Sequence, residues 1–550
     1  MDRDHSDTRR NEASAADVLL GTLRARGVEY FLANPGTDFP PIIESFAAAA
    51  ESGRKVPHPM VIPHENAAVA MAHGYYLVSG RPQAVMVHTS VGTGNTLNTL
   101  INASRDNIPI LLLAGRSPLT ETGGLGTRTR AIHWAQEMFD QAGMVRELVK
   151  WDYELNSADH VDDVVTRAIE IAMTSPRGPV YLTLPRETLA AMTSRAGGAL
   201  PRRALPAPPH PDPAAIATLA DWIATAQRPL VITSNAGRTA EDVAALERIA
   251  QRFALPVISF RERYLALSNR HPMHQGFLPR PLLSDADAIV VLDCDVPWIP
   301  SLESPKPDCR VAHIGEDPTF ARYPMRSFPA DLSIAAAIPA ALGALERALE
   351  SRVSPDGAAI AARRRALSER STAQRTKWAA ESERDGQAEA ITPAWISRCI
   401  GEAVGEEAII VNEYPLRLEH CPRTRPGTYF GLSPAGGLGW GLGAALGAKL
   451  AARDRLVVAT LGDGAYTFAN PTACHWTAQA HDLPILTVVF NNSLYGAVRG
   501  ATLEMYGQGA AARTQGRLMA ELGPSTAFEM LAEANGGLGL RVDRPADLPG

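Results

Sequence analysis

The feature that most constrains this 550-residue chain is a repeated alternation. Short runs of Val, Ile and Leu are separated by alanine-rich stretches of helical character. Runs at 85–88, 110–114, 180–184, 230–233, 288–293, 310–314, 408–412, 456–461 and 485–491 read as strands. Most carry no polar alternation, so both faces of each strand must be covered, as in a parallel sheet flanked by helices. Strand–helix alternation along the whole length predicts an α/β protein. Two composition breaks divide it. Residues 197–213 are rich in proline and small residues, which suits a surface linker. Residues 361–389 are rich in Arg, Glu and Ala and polar nearly all round, which suits a bridging helix. Three domains follow, at 12–190, 212–345 and 388–550, each long enough for its own parallel sheet.

Charge and composition narrow the function classes. A net charge of −6 argues against a nucleic-acid partner. No apolar run reaches membrane-spanning length, and the polar start of the chain reads as a disordered lead-in, not a secretory signal. The five cysteines form no CxxC pair, which argues against a zinc site or disulfide framework and suits a cytoplasmic location.

Chemistry concentrates at strand ends. The run at 456–461 leads into Gly462-Asp463-Gly464, and the run at 485–491 leads into Asn491-Asn492-Ser493-Leu494-Tyr495-Gly496. Alone, the first motif is a tight turn and the second a loop. At the same edge of one parallel sheet, Asp463 and Asn492 become hard oxygen donors suited to Mg²⁺. Gly462 and Gly464 let the backbone approach a phosphate. Ahead of them, the glycine-rich loop 435–443 opens an Ala/Gly helix, the arrangement of an anion cradle; its spacing fits a dinucleotide fingerprint poorly. In the first domain, Asn34-Pro35-Gly36-Thr37 makes a turn after a strand. His64-Glu65 opens an alanine-rich helix running to about Ser79, where Glu65 could serve only the helix dipole. His88 ends a strand and precedes the glycine-rich turn 89–95.

Together these motifs resemble the thiamine diphosphate-dependent decarboxylase and acetohydroxyacid synthase superfamily over essentially the whole chain. Locally the likeness is greatest to benzoylformate decarboxylases, through NPGT at 34–37, HE at 64–65, HTSVGTGN at 88–95, Asn412-Glu413, AGGLG at 435–439 and NNSLYGAVR at 491–499. The resemblance implies first and third domains of one thiamine diphosphate-binding fold and a Rossmann-like central domain. It implies that Glu65 hydrogen-bonds the aminopyrimidine N1′, that the Gly436 carbonyl accepts from its amino group, and that Leu438 wedges the cofactor into a bent shape. Asp463, Asn492 and the backbone oxygen of Leu494 would bind Mg²⁺, with Asn412, Glu413, Gly462 and Gly464 also at the cofactor. His88, His64 and Thr37 would face the substrate, a 2-oxo acid, and Ala497 and Ala501 would border it. Active sites would lie between subunits, making a homodimer the minimum and a homotetramer the expected assembly.

The chain departs from that pattern at two points. The stretch 295–300 has no histidine where a benzoylformate decarboxylase has one in its middle domain, and Ala501 stands where a bulky aromatic borders the substrate. His271 and His274 suit surface or structural roles equally well, and Trp298 is a candidate to fill the space left at 501. Three readings follow: a decarboxylase releasing an aldehyde, favoured by His88 as proton donor; a carboligase passing the same carbon to a second carbonyl; and a non-catalytic homologue, disfavoured by the retention of Glu65, Asp463 and Asn492. A flavin or nucleotide in the central domain is an alternative suggested only by the turn at 233–237.

Overall fold

The computed structural model describes residues 13–193, 204–280 and 282–549. Residues 1–12 of the expected lead-in and 197–203 of the expected linker lie outside the described residues. The chain packs into two compact units: 1–206 with 433–454 and 461–539, and 207–432 with 455–460 and 540–550.

In the first unit the chain begins with β1 (Ala13–Ser14), α1 (Ala15–Ala25), β2 (Tyr30–Ala33), α2 (Pro40–Ser52) and β3 (His58–Val61). It continues through α3 (Glu65–Ser79), β4 (Ala84–Val87), α4 (Thr89–Arg105) and β5 (Leu111–Arg116). Then come the short α5 (Ile132–Ala135), β6 (Asp152–Glu154), α6 (Val161–Met173), β7 (Val180–Pro185), α7 (Arg186–Ala190) and β8 (Met192–Thr193). Local signals set several boundaries. Ser14 and Asp17 close a capping box that starts α1, and glycines with left-handed backbone, Gly53 and Gly80, end α2 and α3. Six strands form a sheet in the order β3-β2-β4-β5-β7-β6, parallel throughout. Leu19 and Leu23 of α1 and Val165 and Ala168 of α6 share a core with Phe31, Leu113 and Leu182 of the sheet.

The second unit holds α8 (Pro213–Thr225), β9 (Pro229–Thr233), α9 (Ala240–Phe253), β10 (Val257–Ser259), β11 (Ala288–Leu292), β12 (Arg310–Gly315) and β13 (Leu332–Ala335). Its sheet, β10-β9-β11-β12-β13, is also parallel. Successive residues of one strand serve two different cores. Ile289 and Val291 join Leu230 and Trp298 on one side, while Val290 and Leu292 join Val231 and Ile249 on the other. That double burial is why the strand carries no polar alternation. Trp298 is 1% exposed and meets Phe328 edge-on at 5.3 Å, so it is a core residue of this sheet. His274 is buried, and desolvation drives its imidazole down to about 3, the behaviour of a neutral packing residue. At the 233–237 turn, a Cβ on Gly237 would fall 2.3 Å from the Leu265 carbonyl, so close backbone packing accounts for that glycine.

Helix α10 (Ile338–Glu350) precedes α11 (Ala358–Asp385), the expected polar helix, whose buried residues are only Ile360, Leu367, Ser371 and Ser382. After α12 (Pro393–Val404), β14 (Ile409–Glu413) pairs in parallel with β15 (Tyr429–Gly431). The chain then re-enters the first unit through α13 (Trp440–Ala451). Beyond it lie β16 (Val457–Gly462), α14 (Asp463–Phe468), α15 (Pro471–Ala480), β17 (Leu486–Phe490) and α16 (Gly496–Met505). Among the described residues no helix is long and apolar enough to cross a membrane.

Helix α13 joins the first unit because glycines let it lie backbone-to-backbone on α3. A Cβ on Gly74 would sit 1.9 Å from the Ala444 carbonyl oxygen, and one on Gly447 would sit 1.9 Å from the Met71 carbonyl oxygen. Gly443 is similarly closed off by Ala70 and Ala67. We expect Gly74→Ala to destabilise the chain by about 1–3 kcal/mol, since neither backbone can yield easily. Gly21→Ala in α1, where nothing lies within 4 Å, should be neutral or stabilising through helix propensity. Urea unfolding of both variants checks this; equal midpoints would show that the α3–α13 seating is loose.

Candidate active site

The end of β3 and the extended backbone of His64 (φ −160°, ψ 126°) make Glu65 the first residue of α3. Glu65 is 9% exposed, and each carboxylate oxygen has its own amide donor. Asn34 Nδ2 donates to Oε1 at 2.8 Å, and Asn95 Nδ2 donates to Oε2 at 2.6 Å. Asn34 comes from the end of β2 and Asn95 from the first turns of α4, so two elements hold one carboxylate. Residue 92 must stay small beside it, because a Cβ on Gly92 would lie 3.3 Å from Glu65 Oε1 and 3.0 Å from Val87 Cβ.

His88 follows β4 and caps α4. Its Nδ1 lies 2.5 Å from Asp38 Oδ1, and the other Asp38 oxygen accepts the Thr89 N–H at 3.3 Å. Two glycines leave room for this pair. A Cβ on Gly36 would fall 2.2 Å from the His88 ring, and one on Gly115 would fall 1.7 Å from Asp38 Oδ2. Thr89 takes a φ of +39°, costly for a β-branched residue, directly after the histidine. The hydrogen bond to Asp38 holds the His88 imidazole above its ordinary value, against the opposing effect of burial. Thr37 adjoins this pair in sequence; its Oγ1 lies 3.4 Å from His133 Nε2, and its carbonyl accepts from Arg186. His133 is pushed down first by burial and then by Arg186 and other cations. His64 is also pushed down by burial, and its Nδ1 is buried without a hydrogen-bond partner.

Helix α4 connects this region to the glycine-rich loop ahead of α13. Asn95, Asn98 and Asn102 recur at helical spacing and therefore share a face. Asn98 Nδ2 donates to the Leu438 carbonyl at 2.6 Å. Asn102 donates to the Gly437 carbonyl at 2.7 Å and accepts the Gly437 N–H at 3.0 Å. Gly436 and Gly439 both take left-handed backbone, with φ of +67° and +79°, which lets the loop turn into the helix.

At the other motif, Gly462 ends β16 and Asp463 starts α14. Asp463 is 3% exposed; burial pushes its carboxyl up, while backbone N–H groups of Gly464, Asn492 and Ser493 act the other way. The structure thus brings the 463 and 492 motifs together. Asn492 Oδ1 accepts the Leu494 N–H at 3.0 Å, and a Cβ on Gly464 would meet the Tyr495 ring at 2.6 Å. Among the described residues no group of three or more His, Cys, Asp and Glu could hold a metal. One carboxylate, one side-chain amide and a backbone carbonyl are nevertheless the hard oxygen donors that Mg²⁺ accepts, with waters and phosphate completing its shell. Ala497 and Ala501 lie on α16, which has no buried residue. Asn412 and Glu413 belong to the second unit. There the Asn412 amide is engaged internally, with Leu416, Tyr429 and Thr460.

Three family models match the sequence: the thiamine pyrophosphate enzyme N-terminal TPP binding domain at residues 13–144, the central domain at 216–345, and the C-terminal TPP binding domain at 415–550. The chain belongs to the thiamine pyrophosphate enzyme family. It therefore comprises three α/β domains with parallel sheets and is an enzyme. This thiamine pyrophosphate enzyme is 27% identical over 493 residues to a benzoylformate decarboxylase of Pseudomonas aeruginosa, covering 87% of this chain and 85% of that one. It is 23% identical over 566 residues to the acetolactate synthase large subunit of Haemophilus influenzae, covering 97% and 91%. Among solved structures, a thiamine diphosphate-dependent 4-hydroxybenzoylformate decarboxylase of Rhodococcus jostii RHA1 shares the fold. Its TM-score is 0.78 at 23% identity, over 98% of this chain and 95% of that one.

Sequence reading did not single out Asp38, His133, Arg186 or the α4 asparagines. Asp38 directly follows NPGT and Asn95 closes GTGN, but their partners lie 30 or more residues away in sequence. A cavity of about 1230 Å³ in the first unit is lined by Asp17, Glu44, Arg54, Leu125 and Arg186 among others, and by none of the expected site residues of this thiamine pyrophosphate enzyme. Arg186 donates to the carbonyls of Thr37, Gly126 and Thr127. We expect Arg186→Leu to leave these carbonyls short of donors and loosen the segment around them. Tryptic cleavage at Arg128 and Arg130 should accelerate, and Arg186→Lys should not restore resistance, because an ammonium cannot span the fork. Unchanged cleavage would mean that this segment is held by other contacts.

Proposed function

We propose that this enzyme uses thiamine diphosphate and Mg²⁺ to decarboxylate a 2-oxo acid and release an aldehyde, in the manner of a benzoylformate decarboxylase. The carrying observation is the His88–Asp38 pair: a partly accessible imidazole 2.5 Å from a buried carboxylate, which favours its charged form, as the nearby Glu65 also does. Such a group can deliver the proton that a released aldehyde requires. The 27% identity to a benzoylformate decarboxylase supports the same reading.

Thiamine diphosphate, when bound, supplies the electron sink for cleavage of a carbon–carbon bond next to a carbonyl. The residues fit that group. Glu65, pinned by two amides, presents a carboxylate to the aminopyrimidine; the Gly436 carbonyl and Leu438 lie on the loop that α4 clamps. Asp463, Asn492 and the Leu494 carbonyl would hold Mg²⁺, and Gly462 and Gly464 would lie beside the diphosphate. His64 and Thr37 face the substrate carboxylate, and His88 Nε2 hands over the proton. Small, exposed Ala497 and Ala501 leave room for a second carbonyl compound, which favours a carboligase as the alternative, as in the acetolactate synthase relative. Exposed apolar side chains, Phe139, Met505, Leu518, Met519 and Leu538, suit burial against a second copy of the chain. The five buried, unpaired cysteines suit a reducing cytoplasm.

Incubation with a panel of 2-oxo acids should yield aldehydes; 2-hydroxyketones as the main products would favour the carboligase. Glu65→Gln should lose nearly all turnover yet bind cofactor and metal normally. Asp463→Ala should instead weaken thiamine diphosphate binding in a calorimetric titration with Mg²⁺. If both variants bind cofactor and turn over as wild type does, neither motif serves the reaction.

A further inference from the structure

We infer that Asp38 is a positioning residue that fixes the tautomer and orientation of His88, so that the imidazole offers a proton from Nε2. This rests on the proposed role of His88. The observations are geometric. Asp38 is 2% exposed, yet both carboxylate oxygens are used, one on His88 Nδ1 and the other on the Thr89 N–H. The His88 side chain keeps 17% of its surface while that of Asp38 keeps 3%, so the pair has one inner and one outer member. Gly36 and Gly115 close on the pair from two elements, and any Cβ at either position would strike it. Thr89 holds a left-handed backbone while its N–H points at Asp38, so the carboxylate also anchors the strained junction from which His88 projects.

A carboxylate on Nδ1 requires the proton there and leaves Nε2 as the outward nitrogen. It also favours the charged imidazolium, matching the upward direction already noted. The titratable and charged groups facing the pair are Asp38 and Glu65, which favour the charge, and His133, which opposes it; Arg186 acts on Asp38. Gln136 adds a hydrogen bond in the same sense as Asp38. The sign follows. Protonated His88 is the donor, and the Asp38 bond keeps it protonated to higher pH. The basic limb of kcat therefore lies above the ordinary imidazole value of about 6.5.

The test combines three measurements on the full enzyme with thiamine diphosphate, Mg²⁺ and the best 2-oxo acid. Asp38→Asn should move the basic limb of kcat to lower pH and reduce kcat on the order of tenfold above it. KM and calorimetric cofactor affinity should stay near wild type. Histidine NMR, with His88 assigned by its loss in His88→Gln, should show the same downward shift of the imidazole without substrate. If Asp38→Asn leaves both the limb and the His88 titration in place, Asp38 is merely structural and the inference falls. If His88→Gln retains wild-type kcat at all pH values, His88 is not the donor and the proposed mechanism falls with it. Should Asp38→Asn not fold, the wild-type spectrum decides. A neutral ring that keeps its proton on Nδ1 and titrates above about 6.5 supports the inference, and a neutral ring protonated on Nε2, or one that titrates lower, overturns it.

Discussion

The candidate site depends on two helices whose backbones touch. Helix α3 carries Glu65 at its first residue, and α13 follows directly on the loop that carries Gly436 and Leu438. Gly74, Gly443 and Gly447 remove the side chains that would hold these helices apart. Dense packing makes such contacts stiff, since even a methyl group has nowhere to go. The start of α3 and the start of α13 are therefore held at a fixed relation that a looser, leucine-lined interface would not impose.

A second layer of precision comes from neutral donors. Asn34, Asn95, Asn98 and Asn102 hold one carboxylate and two backbone carbonyls without adding charge. Three of them lie on α4, so a single rigid element sets the position of Glu65 relative to the 437–438 backbone. Lysine or arginine in these positions would supply donors too, but would bring net positive charge beside the loop proposed to hold an aromatic cation. Amides satisfy the buried acceptors and leave the local field to Glu65.

The parts of this architecture legible in the sequence were those with a local cause. All nine expected strands are present; in most of them burial on both faces writes an unbroken apolar run, whereas β17, at a sheet edge, is only partly buried. Of the strands that were not foreseen, β1 and β8 form a two-stranded sheet of their own, and β3, β6, β10, β13 and β15 all sit at sheet edges. An edge strand meets fewer neighbours and can carry polar residues, as His58–Val61 does with one buried residue in four. The same logic divides the site. Glu65, His88, Asp463 and Asn492 announced themselves because each stands where a strand ends or a helix begins. Asp38 and the α4 asparagines did not, since their meaning lies in partners that only the folded sheet brings near. The glycines of α13 draw residues 433–454 into the first unit, a consequence of tertiary contact that composition breaks do not encode.

The two carboxylates near the substrate face show how environment assigns roles to like groups. Glu65 is bounded by two amide N–H donors, which hold its carboxylate without offering it an acidic proton. Asp38 faces an imidazole, which can take a proton and be held charged, so its influence is passed outward through His88. In the proposed mechanism Glu65 acts on a bound group directly, and Asp38 acts through His88. In the proposed mechanism, two carboxylates in distinct surroundings, each acting electrostatically on His88, would separate the handling of a cofactor's proton from the delivery of a product's proton.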